Sequence, residues 1–449
     1  MNILRLKVLL VIPIYILILV ISACTSEIPT ELIPEETEVM TADTATKIEP
    51  TFTSTNPPPT ETPAPTETPA PTATLVPSAT PITNFDLNQI NKDGFGDKNN
   101  IVTMSLEQFH DHLYAGILNF GTDAEIWRYD GKNWEIVMEG GFDGNTLAVN
   151  DFINHDDFLY AGTVPRFEEK YMKGTFFGSE IWRSKDGMNW EKIVGNQFDT
   201  DVKYLEAEIS RLFSFEEFLY ASASGSTGEP EESGLQIWRS KSGDPGSWEI
   251  VAKNGIDDPG NTGIYANAVY NSKLYIGTIA GREPVENYSA HVYVTEDGLN
   301  WSKLANMPGE PNLFGISAMN VFKDYLYVAA IANLDKPSKT GHVYRCLVCD
   351  GSDWELVLDG PYLHDRTNRK LALEEYMGQL FYISGNDEFG LEIWKTLDGL
   401  KWERIAEEGI DDNGNLRSYW DNANTVYQDK LILGVTNSTT GTEVWEISP

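Results

Sequence analysis

Arginine, histidine and aromatic residues that do not recur along the chain are the side chains best suited to hold a ligand. Arginine and aromatic groups in a concave site commonly bind carbohydrates or carboxylates, because a guanidinium makes paired hydrogen bonds to a carboxylate. Local salt bridges on an acidic surface are the alternative for each residue. The candidate ligand-binding residues are Arg166, Tyr171, Arg282, Tyr288, His364, Arg366, Arg369, Arg417, Tyr419 and Trp420.

Two recurring motifs must form the framework that positions these residues. One is an apolar run that ends in Leu-Tyr or a close variant, and the other is a strand that begins with tryptophan. Between them lie segments such as Glu-Ile-Trp-Arg-Ser, whose apolar and polar residues alternate with the period of a β-strand. A repeat of about 50 residues with several short strands predicts a β-propeller. The leucines are Leu113, Leu159, Leu219, Leu274, Leu326, Leu380 and Leu431, and the tryptophans are Trp134, Trp190, Trp248, Trp301, Trp354 and Trp402.

Each repeat is expected to form one blade of four antiparallel strands, with long variable loops on one face. The third strand recurs seven times, but only six fourth strands follow it. The spacing from Leu87 to Phe95 repeats the spacing after a fourth-strand tryptophan, so residues 84–91 are expected to supply the missing strand to the blade of residues 422–447. The predicted fold is therefore all-β, a seven-bladed β-propeller of four-stranded antiparallel blades, closed by an N-terminal strand in the last blade.

The hairpin between the third and fourth strands resembles the Asp-box of bacterial neuraminidase repeats. The clearest copy is Ser184-Lys-Asp-Gly-Met-Asn-Trp190, in which the aspartate lies four residues before the tryptophan instead of the usual five. In that family the box is structural, because its aspartate accepts hydrogen bonds from the turn and its tryptophan packs between strands. The resemblance implies a structural role, without catalysis, for Asp130, Asp186, Asp244, Asp297, Asp350 and Asp398.

No cofactor is expected, although three Gly/Asp/Asn-rich turns leave calcium as an alternative. These turns are residues 93–100, 257–261 and 411–415. Carboxylates and backbone carbonyls are the usual calcium ligands, but the same residues also suit tight turns without a metal. The polar residue two positions before each third-strand aromatic residue is interpreted as structural, because third strands lie too far from the axis to converge on one ion. These residues are Glu125, Glu180, Gln236, His291, His342, Glu392 and Glu443.

The N-terminus resembles the leader of a bacterial lipoprotein. Basic residues precede an apolar run of 16 residues from Val8 to Ala23, which is short for a membrane span. The run ends in Ile-Ser-Ala-Cys, a lipobox in which Cys24 is lipidated; an ordinary signal peptide or an uncleaved anchor is the alternative. Residues 1–23 are expected to be the signal peptide, residues 24–83 a Pro/Thr-rich disordered stalk, and residues 84–449 the propeller. The protein is then lipid-anchored to a membrane in the bacterial cell envelope, outside the cytoplasm.

The formal net charge of −35 excludes nucleic acid as a partner, since such a surface repels phosphate backbones and anionic lipid. It suits a cationic partner or simply solubility. Cys346 and Cys349 are the remaining cysteines. They lie in an enlarged hairpin of the fifth blade, so a disulfide is expected in an oxidising compartment.

Three functions remain open on this evidence. The first is a surface module that binds a glycan or an envelope protein on the loop-rich face. The second is a sialidase-like glycoside hydrolase, or another polysaccharide-acting enzyme, which the Asp-box resemblance implies. Sialidases use three arginines, a Tyr–Glu pair and an aspartate on six blades, and no Arg-Ile-Pro motif precedes the first box here. The third is an assembly factor, by architectural analogy with lipidated propellers of photosystem assembly.

Overall fold

The described part of the chain is built almost entirely from antiparallel β-sheet. The computed structural model describes residues 84–166, 178–195, 198, 206–225, 234–280, 289–310, 313–332, 341–360, 371–386, 390–410, 415–418 and 422–449. They lie within one unit of the chain, Pro81–Pro449. The prediction of an all-β fold with four-stranded antiparallel sheets is confirmed. The strands fall into groups of four, which we number unit 1 to unit 7 in chain order.

Units 1 to 3 each form a separate four-stranded sheet in which neighbouring strands follow chain order. Their strands are β2 (Asn100–Phe109), β3 (His112–Asn119), β4 (Glu125–Tyr129) and β5 (Trp134–Met138), then β6 (Thr146–His155), β7 (Phe158–Pro165), β8 (Ile181–Ser184) and β9 (Trp190–Val194), then β10 (Glu206–Phe215), β11 (Phe218–Gly225), β12 (Gln236–Ser240) and β13 (Glu249–Ala252). Second strands such as β3 and β7 are buried almost throughout, because neighbouring units cover both of their faces. Fourth strands such as β5 form the exposed outer edge.

Units 4 to 6 repeat this order. Their strands are β14 (Asn261–Tyr270), β15 (Lys273–Ala280), β16 (Val292–Thr295) and β17 (Ser302–Lys303), then β18 (Leu313–Phe322), β19 (Tyr325–Ala332), β20 (Gly341–Cys346) and β21 (Glu355–Asp359), then β22 (Ala372–Tyr376), β23 (Gln379–Asn386), β24 (Gly390–Thr396) and β25 (Trp402–Ala406). Units 4 and 5 share one eight-stranded sheet, because Ile279 of β15 pairs with Gly315 of β18.

Unit 7 combines strands from both ends of the described chain. It contains β26 (Asn415–Ser418), β27 (Asn424–Tyr427), β28 (Lys430–Asn437), β29 (Glu443–Ser448) and the N-terminal β1 (Asp86–Gln89). β1 pairs antiparallel with β29, with Leu87 opposite Ile447. The first strand of this unit is in two pieces, since β26 and β27 both pair with β28.

Hydrogen bonds connect the first strand of each unit to its neighbour. Between units 1 and 2, the Ser105 hydroxyl donates to the Val149 carbonyl at 3.2 Å. From unit 7 back to unit 1, the Leu106 N–H donates to the Asn422 carbonyl at 2.7 Å. Further contacts of this kind join Asn150 to Ile209, Ser210 to Ile264, Ser317 to Leu371, and Asn424 to Glu374.

Aromatic residues in the turns after fourth strands pack each unit onto the next. Phe142, which follows unit 1, stacks on Trp182 of unit 2 with ring centroids 4.5 Å apart and meets Trp190 edge-on at 5.7 Å. Phe95, which follows β1, stacks on Trp127 of unit 1 at 4.8 Å. Both phenylalanines have left-handed backbone angles, φ +59° and +56°. That conformation costs about 1–2 kcal/mol for an L-residue, and burial of the ring against tryptophan offsets the cost.

The short connections of the units lie together on one face, which we call the turn face. Tyr270, at the end of the first strand of unit 4, shows this arrangement. Its hydroxyl lies 2.6 Å from the carbonyl of Asp324, in the turn between the first two strands of unit 5, and 2.6 Å from the carbonyl of Leu347, in the hairpin between its last two strands. The longer loops leave the strands at the opposite ends, on what we call the loop face.

Helical structure in the described residues is short: a 3-10 turn at Asp93–Gly96, α1 (Gly141–Gly144), and Phe198, which has a 3-10 conformation. None of these, nor any other helix in the described ranges, has the length and apolar character to cross a bilayer.

Candidate functional site

The structure places two of the ten predicted ligand-binding residues. Arg166 directly follows the second strand of unit 2, and Arg417 lies in β26, where its backbone pairs with Thr436. The side chain of Arg417 lies outside the described residues. So do Cys24 and the other eight candidates, and their convergence on one site stays a prediction. Those eight are Tyr171, Arg282, Tyr288, His364, Arg366, Arg369, Tyr419 and Trp420.

Arg166 makes contacts that favour the salt-bridge interpretation for this residue. Its guanidinium forms an ion pair with the carboxylate of Asp123 in unit 1. Its backbone N–H donates to the carbonyl of Asn145 at 2.8 Å. Both contacts fasten the loop at the end of unit 2 to the preceding unit, so this guanidinium is already engaged by the protein.

Asp186 shows the structural role that the Asp-box resemblance implies. Its carboxylate accepts hydrogen bonds from the backbone N–H of Met188 at 2.9 Å and of Asn189 at 2.7 Å. The Ser184 hydroxyl donates to it at 3.0 Å. These hydrogen bonds stabilise the ionised carboxylate and hold the pKa of Asp186 well below its usual range. The bond from the Asn189 backbone N–H makes the largest contribution. Main-chain donors of the turn are bound in the same way by Asp130, Asp297 and Asp398.

The prediction that Asp244 is the box aspartate of unit 3 is wrong. The carboxylate of Asp244 accepts a hydrogen bond from Arg183 of unit 2 at 2.9 Å, and so links two units. Ser242 occupies the box position, because the next residue, Gly243, donates its N–H to the Ser240 hydroxyl as the box glycine does in unit 4. The hairpin of unit 3 is longer after the glycine, so counting back from the tryptophan selects the wrong residue.

Cys346 and Cys349 form a disulfide in the hairpin of unit 5, with their α-carbons 5.1 Å apart. Cys346 pairs with Leu326 as the box Thr295 pairs with Leu274 in unit 4, so Cys346 occupies the position of the box Ser or Thr. Cys349, three residues later and with φ +55°, occupies the position of the box glycine. Val348 therefore stands where other units have the box aspartate. Asp350, predicted to be that aspartate, lies further along the enlarged turn and accepts the N–H of Ser352 at 2.9 Å.

In the five third strands that carry tryptophan, the polar residue two positions before it accepts the indole N–H, whereas His291 and His342 lie against carboxylates outside their own strands. Glu180 accepts the indole N–H of Trp182 at 2.8 Å, and Gln236 accepts that of Trp238 at 3.1 Å. This bond satisfies a partly buried donor, which agrees with the structural interpretation. The same pairing joins Glu125 to Trp127, Glu392 to Trp394, and Glu443 to Trp445.

The turns considered for calcium use their carboxylates for local contacts. Asp97 accepts the N–H of Asn99 at 2.9 Å, and Asp258 accepts the N–H of Gly260 at 2.9 Å. Asp258 also lies 3.2 Å from Nε2 of His291. Residues 411–414 of the third turn lie outside the described residues. In the part of the chain that the structure does describe, no group of three or more His, Cys, Asp or Glu side chains is arranged to hold a metal ion.

The sequence did not single out a cluster of charged and amide side chains on the first strands of units 1 to 4. We call it the first-strand cluster. Asn154 donates to a carboxylate oxygen of Glu107 at 2.6 Å, across units 1 and 2. Asp151 lies 3.9 Å from Nε of Arg211, and this nitrogen donates to the amide oxygen of Asn267 at 2.9 Å.

The two carboxyl groups of this cluster have raised pKa values. Burial raises the pKa of Glu107 to about 8, and the neighbouring Asp151 carboxylate adds to the rise. Burial also raises the pKa of Asp151, to about 6, although Arg211 opposes it. Carboxyl groups with raised pKa values are among the groups that general acid–base chemistry uses.

Comparisons with known proteins give a fold likeness at low similarity. No family model and no curated protein matches the chain. A structure of prolyl endopeptidases is 12% identical with a TM-score of 0.45, covering 78% of this chain but only 50% of that chain. A PL25 ulvan lyase bound to -[GlcA(1-4)Rha3S]- is 13% identical with a TM-score of 0.48, covering 79% of this chain and 94% of that chain. The β-propeller domain of the Trilobed protease from Pyrococcus furiosus is 12% identical with a TM-score of 0.42, covering 77% of this chain and 94% of that chain. At these values the likeness decides neither activity nor ligand.

Proposed function

We propose that the chain is a lipid-anchored cell-surface module, a closed seven-bladed β-propeller that binds a glycan or an envelope protein on its loop face. The observation that carries the proposal is the commitment of the recurring polar side chains to the fold. Box aspartates bind their own turns, and third-strand glutamates bind their own tryptophans. The side chains left for recognition are then those that differ between units, and these are concentrated in the loops.

The ring closure is supported by contacts between the two ends of the chain. β1 supplies the fourth strand of unit 7, and the Leu106 N–H of unit 1 bonds the Asn422 carbonyl of unit 7 at 2.7 Å. The Tyr427 hydroxyl of unit 7 donates to the carbonyl of Asp111 in unit 1 at 2.8 Å. A ring in which unit 7 abuts unit 1 leaves no unit without a neighbour, which removes exposed sheet faces.

The anchored arrangement is supported by the N-terminal sequence. The lipobox at Cys24 and the Pro/Thr-rich stretch before residue 84 supply the anchor and the reach in this proposal.

A glycan and polysaccharide array tests the binding function. The probe is the full chain carrying Cys24→Ser, which removes the lipid acceptor, assayed with calcium and again with EDTA. We expect a specific signal that falls at least tenfold in Arg417→Ala/Trp420→Ala, at two of the predicted ligand-binding residues, and is unchanged in Lys185→Ala on the turn face. Loss of the signal in EDTA assigns calcium to the site. A blank array contradicts the glycan ligand, and pull-down from the native envelope then tests the protein ligand.

A glycoside hydrolase is the second candidate, favoured by the first-strand cluster, in which Glu107 and Asp151 are two carboxyl groups with raised pKa values. Glycoside hydrolysis commonly uses a pair of carboxyl groups. Incubation of any bound polysaccharide with the protein, followed by assay of reducing ends, separates the two functions. Release that is lost in Glu107→Gln while binding persists supports the enzyme. Binding without release supports the module.

A further inference from the structure

Units 4 to 6 carry exposed apolar side chains on the turn face, opposite the loop face. We call these six residues the apolar patch, and between 38% and 62% of each is exposed. A cluster of exposed apolar side chains on an otherwise acidic protein is a common mark of an interaction surface. The residues of the patch are Val269, Val321, Leu347, Val348, Met377 and Leu397.

The fold does not require apolar residues at these positions, because units 1 to 3 have polar ones there. Val269 and Val321 each precede the last residue of a first strand, and Met377 begins the turn that follows one. Leu347 and Leu397 follow the box position that closes a third strand. The corresponding residues of units 1 to 3 are Gln108, Asn154 and Ser214, then His110, Asp156 and Glu216, then Lys185 and Lys241. At these positions, therefore, the exposed apolar side chains distinguish units 4 to 6 from units 1 to 3.

Two hydrogen bonds link backbone positions of the patch across neighbouring units. Tyr270, next to Val269 in unit 4, donates to the carbonyl of Leu347 in unit 5 at 2.6 Å. The Lys323 ammonium, two residues after Val321 in unit 5, donates to the carbonyl of Leu397 in unit 6. Main-chain positions of the patch are thus tied together by side chains that lie between them.

The most exposed part of the patch is held in a fixed conformation. The disulfide between Cys346 and Cys349 closes the hairpin whose tip is Leu347 and Val348. The Asp353 carboxylate accepts the N–H groups of both tip residues at 2.7 Å each, and that of Cys349 at 3.1 Å. A surface ordered before binding loses little conformational entropy when a partner docks, which favours affinity.

Carboxylates lie in the same strand ends, turns and hairpins as the patch, together with the Lys323 ammonium, and favour a partner that carries cations. Hydrogen bonds within the turns lower the pKa of Asp350 and Asp398, so both are ionised at neutral pH. The largest contribution comes from the Ser352 hydroxyl for Asp350 and from the Lys401 backbone N–H for Asp398. An anionic bilayer, or the same face of a second copy, would bring like charges together. These acidic residues are Asp324, Asp350, Asp353, Glu375 and Asp398.

We propose that the apolar patch binds a polypeptide surface in which apolar side chains alternate with lysine or arginine. The apolar groups of the partner would cover Leu347 and Val348 at the rigid tip, and its cations would meet the carboxylates. This partner is distinct from the ligand of the loop face. Both sites can be occupied together, because they lie on opposite faces of the units.

Fluorescence anisotropy with labelled peptides tests this proposal on the full chain carrying Cys24→Ser. The probe is a 14-residue peptide of alternating leucine and lysine, with leucine–glutamate and serine–lysine peptides for comparison. We expect measurable binding of the leucine–lysine peptide alone, weakened about tenfold or more by Leu347→Ser/Val348→Ser. Met188→Ser is the matched control, since Met188 is a turn-face residue of unit 2 with 47% of its surface exposed. It should leave the affinity unchanged.

Three results would overturn the proposal. Equal affinity of the double variant and the parent protein would remove the patch as the binding surface. Equal binding of the serine–lysine peptide would reduce the effect to charge alone. Phosphatidylglycerol vesicles that bind the parent protein, and not the double variant, would make the partner a membrane. Thermal unfolding of both variants, followed by circular dichroism, checks that the exposed substitutions leave the fold intact.

Discussion

A β-carbon on Gly298 would lie 1.9 Å from the phenol oxygen of Tyr220, so the side chain of unit 3 fills the space that the glycine of unit 4 leaves open. The Leu-Tyr pair and the Asp-Gly hairpin, two motifs separate in sequence, are therefore two halves of one contact between neighbouring units. That contact explains why both motifs recur. The same relation joins Tyr114 to Gly187, Tyr160 to Gly243, and Tyr327 to Gly399.

Replacing Gly298 with alanine should destabilise the protein in two ways, through backbone strain and through a steric clash with Tyr220. Gly298 has φ +67°, and a methyl group would also overlap Tyr220. We expect Gly298→Ala to lower the free energy of unfolding by about 3 kcal/mol or more. Gly246→Ala is the control, because Gly246 has φ +75° with no atom within 4 Å of the added carbon. It should cost about 1–2 kcal/mol, the backbone penalty alone. Urea unfolding measures both.

Removing the phenol oxygen should partly rescue the alanine variant. With Tyr220→Phe the nearest ring carbon would lie 2.9 Å from the added methyl group, a contact that a small ring shift relieves. The double variant Tyr220→Phe/Gly298→Ala should therefore be more stable than the sum of the two single changes predicts. Simple additivity, or equal costs for Gly298→Ala and Gly246→Ala, would argue against the packing described for this pair.

The contact of Phe95 with unit 1 should contribute to joining the two ends of the chain. Its ring stacks on Trp127 at 4.8 Å and meets Trp134 edge-on at 5.1 Å. Phe95→Ala should lower the free energy of unfolding by about 3 kcal/mol, as expected for deleting a packed phenylalanine. Phe120→Ala, at a position with 49% of its surface exposed, should change it by less than about 1 kcal/mol. Similar costs for both variants would contradict a structural role for this turn.

The framework was predictable from sequence because its residues act locally and repeatedly. A leucine or tryptophan at a fixed position in each copy marks one strand, and the Leu87–Phe95 spacing found β1 although its partner β29 lies at the other end of the chain. The error at Asp244 arose because the hairpin of unit 3 is longer, so spacing from the tryptophan no longer reports position on the strand.

The first-strand cluster could not be found in this way. Glu107, Asp151 and Arg211 lie on three different strands; Asp151 and Arg211 hold the same position in β6 and β10, but their residue types do not recur. Only the packing of neighbouring units brings Asp151 near Arg211, at 3.9 Å. The available signal was the polar pair Asn150 and Asp151 within the otherwise apolar stretch of Leu147–Ile153, which marks a buried position without naming its partner. The apolar patch could not be predicted from the sequence either, because a single exposed valine or leucine is common on protein surfaces and gives no signal.

The proposed lipid anchor predicts that Cys24 alone carries fatty acid. In a bacterial host fed with a clickable fatty acid, the parent chain should be labelled and sediment with membranes. Cys24→Ser should lose the label and leave the membrane fraction, because the buried acyl chains contribute about 0.8 kcal/mol per methylene group. Cys346→Ser/Cys349→Ser, which removes the other two cysteines, should keep the label. Labelling that survives Cys24→Ser would place the lipid elsewhere or point to an uncleaved anchor.

The partly buried carboxyl group of Glu107 predicts lower stability at alkaline pH. Its pKa rises on folding from 4.5 to about 8, chiefly through burial, so the folded protein holds a proton that the unfolded chain releases. The corresponding stability is fully present below about pH 4.5 and is lost as pH rises through 8. We expect the free energy of unfolding to fall by roughly 2 kcal/mol between pH 6 and pH 9. Glu107→Gln, which keeps a neutral side chain, should remove most of this fall. Glu139→Gln, at an exposed position, should retain it. Urea unfolding at both pH values decides the matter, since an unchanged slope in Glu107→Gln would mean that another group titrates.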